Sequence, residues 1–115
     1  MSEFPRALTP LEKAVLNFLL SEPFPGRDEL RRQAEEVKVK SRCQCGCGTA
    51  DLSVEAKSSQ PAPVSNRVPV EATTTAGPPT DVLLHAVDGL LSELEVYRHD
   101  GQAATLPDPS LLELR

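Results

Sequence analysis

Apolar positions between residues 81 and 100 fall into two runs, Val82 to Val87 and Leu90 to Tyr97, separated by Asp88-Gly89. An Asp-Gly step between alternating apolar segments is a strong hairpin signal, because both residues tolerate positive φ. Two registers are open. A two-residue turn at Asp88-Gly89 pairs Leu83 with Leu94 and sets His85 against Ser92. A three-residue loop with a glycine bulge pairs Leu84 with Leu94 and Val82 with Val96, and sets His85 against Glu93. The bulged register sorts the side chains better. It puts Val82, Leu84, Ala86, Leu94 and Val96 on one face, and His85, Glu93, Glu95 and Tyr97 on the other. Leu90, Leu91 and Leu94 also fit a helical period, so a helix across Leu90 to Tyr97 is the competing reading.

Upstream, Thr9-Pro10-Leu11-Glu12 combines a capping hydroxyl, a first-turn proline and a capping-box glutamate. Leu11, Ala14, Val15, Phe18 and Leu19 follow at helical spacing, and Pro23 ends the helix by Glu22. A second helix is expected from Arg27 to Glu36. Its apolar content, Leu30 and Ala34, is thin, which predicts a surface helix along one edge. From Val37 the period becomes two, with Val37, Val39, Ser41 and Cys43 on one side and Lys38, Lys40 and Arg42 on the other. A strand through Leu52 and Val54 comes next. Residues 57–66 and 73–80 read as flexible loops, and Pro69 limits residues 68–72 to an edge strand at most. Leu111, Leu112 and Leu114 supply a last apolar patch over the sheet's edge. Helices followed by strands imply α+β: two N-terminal helices on one face of a four- to five-stranded antiparallel meander, in one domain spanning residues 1–115.

Composition narrows the core. Trp is absent, Phe and Tyr total four, and the core must be built from Leu and Val. No run approaches the roughly 20 apolar residues of a membrane helix, and the first residues lack the layout of a secretory signal. A soluble, cytoplasmic protein is expected. Charge is uneven. Residues 81–115 hold seven acids against Arg98 and Arg115, so the net −5 of the whole chain arises there. Such a field repels phosphates and favours a basic partner, although solubility explains it equally. The arginines Arg27, Arg31 and Arg32 are interleaved with Asp28, Glu29, Glu35 and Glu36, which speaks for a solvated helix and against nucleic-acid binding.

All three cysteines lie in Cys43-Gln44-Cys45-Gly46-Cys47. An odd count argues against a disulfide framework. Thiolates this close can share zinc or copper, with His85 or His99 as a fourth ligand. A plain hairpin loop or redox chemistry are the alternatives. If the loop is a plain connection, Cys43 continues the line of Val37 and Val39 and should be the most buried of the three. Nucleophile elbows, phosphate loops, zinc-protease and dinucleotide motifs are absent from the sequence, so no enzyme is expected. His85 near Glu93 is a candidate acid–base pair, and a Cys–His pair is the alternative.

Arg42-Cys43-x-Cys45-Gly46-Cys47, with Leu91-Ser92-x-Leu94-Glu95-Val96-Tyr97 after Asp88-Gly89, resembles small uncharacterised proteins of actinomycete bacteria. No activity and no functional residue come with that resemblance. The expected function is a non-catalytic protein-interaction module that meets a protein partner, basic or otherwise, through His85, Glu93, Glu95 and Tyr97. The alternative is metal binding at Cys43, Cys45 and Cys47.

Overall fold

Thr9 opens the first helix. In the computed structural model, which describes residues 3–43, 47–55 and 60–115, α1 spans Pro10–Leu19 behind a complete capping box. Thr9 Oγ1 accepts from the Glu12 N–H at 3.1 Å, and the Thr9 N–H donates to Glu12 Oε1 at 2.8 Å. Arg6 adds a fork to the same carboxylate, with Nη1 and Nη2 at 2.8 and 3.1 Å from its two oxygens. Burial alone would push the Glu12 carboxyl up. The Arg6 fork and the Thr9 N–H outweigh it and hold the group below its ordinary value. Val15, Leu16 and Leu19 then enter the core from one stripe.

The second helix, α2, spans Arg27–Ala34. It is not the edge helix that its thin apolar content predicts. Leu30 is fully buried, and Gln33 is buried beside it. The Gln33 side chain donates to the carbonyls of Gln60 and Gly89 at 2.9 and 2.8 Å and accepts from the Leu91 N–H at 2.9 Å. Hydrogen bonds from Gln33, added to the burial of Leu30, thus hold α2 to the hairpin turn. A count of hydrophobic positions cannot register them.

Seven strands form one antiparallel sheet: β1 Arg6–Ala7, β2 Lys38–Arg42, β3 Ala50–Ser53, β4 Val70–Thr74, β5 Thr80–Val87, β6 Leu90–Arg98 and β7 Leu112–Leu114. Their order is β1-β2-β3-β6-β5-β4-β7, which corrects the expected four- to five-stranded meander. Two of the added strands, β1 and β7, are only two and three residues long, too short to show a period. The order departs from a meander because β3 pairs with β6, so the chain crosses to the far side of the sheet before returning. Nor do the helices form a layer ahead of the sheet. They are inserted between β1 and β2, which pair with each other, and α2 lies against β6, the central strand. Strand β4 is likewise interior, between β5 and β7. Pro69 falls just before it, where a missing N–H costs no ladder bond. Thr73 and Thr74, expected in a loop, belong to this strand.

The β5–β6 hairpin confirms one register and revises its cause. Asp88 and Gly89 both take positive φ, 54° and 78°, and Val87 faces Leu90 across a two-residue turn. In the next pair Ala86 faces Leu91, but in the one after it His85 faces Glu93, so Ser92 is an extra residue. This bulge, not a three-residue loop, brings Leu84 to Leu94 and Val82 to Val96. All four are buried, and Val82, Leu84 and Leu94 share one cluster with Ala72, Ala50 and the helix residues Leu16 and Leu30. Segment 60–64 straps the turn. The Ala62 N–H donates to the Gly89 carbonyl at 2.8 Å, and a Cβ at Gly89 would stand 2.6 Å from the Ala62 oxygen. Among the described residues no helix is long and apolar enough to cross a membrane.

Candidate functional site on the open face of the sheet

Because pleated strands alternate, every residue paired with an outward one is itself outward. Three rows follow from the register. The first runs Ser41, Asp51, Glu93, His85 across β2, β3, β6 and β5. The second runs Glu95, Leu83, Glu71 across β6, β5 and β4, and the third runs Tyr97, Asp81, Thr73, Glu113 out to β7. Six carboxylates thereby share one face. Both helices bury their apolar residues with Val82, Leu84 and Leu94 on the other.

His85, Glu93 and Glu95, expected to lie together, do so. His85 Nε2 stands 2.7 Å from Glu95 Oε1 and 3.8 Å from Glu93 Oε1. Arg67 completes the group from the segment leading into β4: its Nε–H donates to His85 Nδ1 at 3.1 Å. A filled Nδ1 lone pair leaves the ring proton on Nε2, where it is donated to Glu95. The bulge also positions Arg67, since the Ala86 N–H beside it bonds the Arg67 carbonyl at 2.7 Å. Sequence reading missed Arg67, which lies 18 residues from His85 with no periodic signal to link them.

Tyr97, the fourth expected residue, is half-exposed, and its ring lies 5.5 Å from that of His99 in a tilted arrangement. His99 Nε2 bonds Asp81 Oδ2 at 2.9 Å, and Arg115 Nη1 approaches the same oxygen at 3.6 Å. Asp81 Oδ1 is buried and has no protein partner among the described residues. Nothing in the local sequence marks the Asp81–His99 pair. It comes from the continuation of both strands past the last inward pair, Val82 and Val96.

The cysteine loop is built differently from expectation. Cys43 is exposed and disulfide-bonded, and Cys47 is a buried thiol, which inverts the predicted order of burial. Cys45 lies outside the described residues. Arg42 donates to the Cys47 carbonyl at 3.2 Å, and the Gly48 N–H donates to Ala104 at 2.7 Å, so the C-terminal segment draws Cys47 inward. A sulfur in a disulfide is not a thiolate donor. His85 and His99 are both engaged with carboxylates of the β5–β6 hairpin. Among the described residues, the group of metal-donating side chains that converges is His85, Glu93 and Glu95, with donor atoms all within 4.8 Å of one another.

Comparison with known proteins adds no name to this geometry: no family model, no curated protein and no solved structure matches the chain.

Proposed function

We propose that the chain is a non-catalytic interaction module whose open sheet face docks a basic protein segment. One observation carries the reading: Asp51, Glu71, Glu93, Glu95 and Glu113 lie, with the buried Asp81 among them, on a single face that neither helix covers. Tyr97 stands half-exposed at its border and supplies the large, rigid contact that interfaces favour. The field of such a face draws positive side chains and repels phosphate, which steers a basic protein rather than a nucleic acid. A cytoplasmic setting belongs to the same reading. Reducing conditions there would open the Cys43 disulfide, so thiol alkylation at lysis followed by mass measurement should find it reduced in cells.

The test uses a labelled arginine-rich synthetic peptide and a glutamate-rich control, followed by fluorescence anisotropy. Glu95→Gln and Tyr97→Ala should each weaken binding of the basic peptide, and added salt should weaken it further. Glu36→Gln removes an exposed acid that follows α2, away from the sheet face. Equal weakening by Glu36→Gln and Glu95→Gln would show attraction by net charge alone and end the reading.

A further inference from the structure

We infer that His85, Glu93 and Glu95 form a site for one divalent transition ion of the zinc class, closed in the metal-free protein by Arg67. The inference stands on donor geometry and not on the docking reading. It is tested on the chain alone, so either can fail without the other.

Around a tetrahedral zinc with bonds of about 2.0–2.2 Å, donor atoms stand roughly 3.3–3.5 Å apart. The two His85-to-carboxylate separations, 2.7 and 3.8 Å, bracket that value, and all three donor atoms lie within 4.8 Å of one another. Side-chain rotation closes the difference without moving the backbone. The three residues sit on β5 and β6, neighbouring strands in the middle of the sheet, and His85 directly faces Glu93. Such placement supplies the rigidity that a binding site needs. An imidazole with two carboxylates is a common donor set for zinc, and their two negative charges offset the ion's.

Arg67 decides the state. A metal bonds to the Nε2 lone pair, whereas the Arg67 hydrogen bond keeps the ring proton on that atom. Metal binding therefore moves the proton from Nε2 to Nδ1 through solvent, so the imidazole stays neutral and no proton is lost from the ring. Nδ1–H then meets the Arg67 Nε–H donor to donor, and Arg67 must withdraw. Its side chain is exposed, so withdrawal breaks one hydrogen bond and leaves no buried charge.

The experiment titrates zinc chloride into the full reduced chain by calorimetry and follows histidine side-chain nitrogens by NMR. One ion per chain is expected. The His85 nitrogens should switch from the Nε2–H to the Nδ1–H pattern, while those of His99 keep theirs. Glu95→Gln and Glu93→Gln should each weaken binding about tenfold or more, the scale of a lost ligand-shell partner, and Arg67→Gln should tighten it. Cobalt absorption separates this site from the cysteines, because thiolate ligation alone gives intense sulfur-to-cobalt bands. No binding, an unmoved His85 signal, sulfur-to-cobalt bands, or affinity indifferent to both glutamine variants would each overturn the proposal. The NMR readout is taken on the unmodified chain and holds even if a variant misfolds.

Discussion

The two faces of the β5–β6 hairpin are made from alternate residues of the same 19-residue stretch, yet they answer to different physics. On the inner face Val82, Leu84, Leu94 and Val96 are almost wholly removed from water, the first three within the apolar core cluster. On the outer face His85, Glu93 and Glu95 keep partial access to water and bond one another and Arg67. Apolar burial is non-directional and tolerates small errors, whereas the polar face depends on which atom donates to which. The inner face should therefore govern stability, and the outer face should govern binding with little effect on folding.

Leu94→Ala is the strongest challenge to that division. It removes a fully buried side chain between Leu84 and Ala50, and a loss of about 2–5 kcal/mol is expected from denaturant unfolding. A loss under 1 kcal/mol would show that the inner face does not carry the fold. Gln33→Ala probes a polar exception inside. It strands the Leu91 N–H and removes one of the two donors to the Gly89 carbonyl, and should cost about 1–3 kcal/mol, with the turn amides gaining hydrogen exchange first.

Glu12→Gln sharpens the comparison with a carboxylate that does serve stability. The folded protein holds Glu12 below its ordinary value of 4.5, so its contribution is present above that pH and fades as pH falls through the lower, folded value. The gap between wild type and the variant should be about 1–2 kcal/mol near neutrality, the scale of a lost cap and charged hydrogen bond. Melts from pH 7 to 3 should show the gap shrinking only below about 4.5. A gap independent of pH would mean the charge on Glu12 is not what matters. Glu95→Gln is expected to do least, within about 0.5 kcal/mol, as for other partly exposed polar positions. Its effect belongs in peptide and zinc binding instead.

Much of this division was legible in the chain. The alternation in 81–100 assigns each side chain to a face, and residues 9–12 announce the start of α1. The ambiguous spacing of Leu91 and Leu94 has a physical source. The bulge at Ser92 turns both inward although they are three residues apart, which imitates a helical period. What stayed hidden depends on residues distant in sequence. The pairing of β3 with β6 sets Asp51 beside Glu93, and only that pairing reveals a face crossing six strands. Arg67 reaches His85, and Gln33 reaches Gly89, through single hydrogen bonds with no compositional trace. At the cysteines the alternation from Val37 pointed Cys43 inward. It failed because β2 shifts register between Val39 and Ser41, so parity does not carry through to residue 43.

The Pro61-Ala62-Pro63 strap has a practical consequence for anyone splicing the gene. A cut or an inserted tag at residues 60–64 would pull Ala62 from Gly89 and free the Gln33 side chain from Gln60 at once. By contrast, the turns at Gly77 and Gly101 have open space where a side chain would begin, and they join strands already paired on both sides of the turn or lead out of the sheet. A reporter or a new chain terminus placed at Gly77 or Gly101 leaves the hairpin clamped. The stretch whose prolines look most like a spacer is a place where the polypeptide should not be opened.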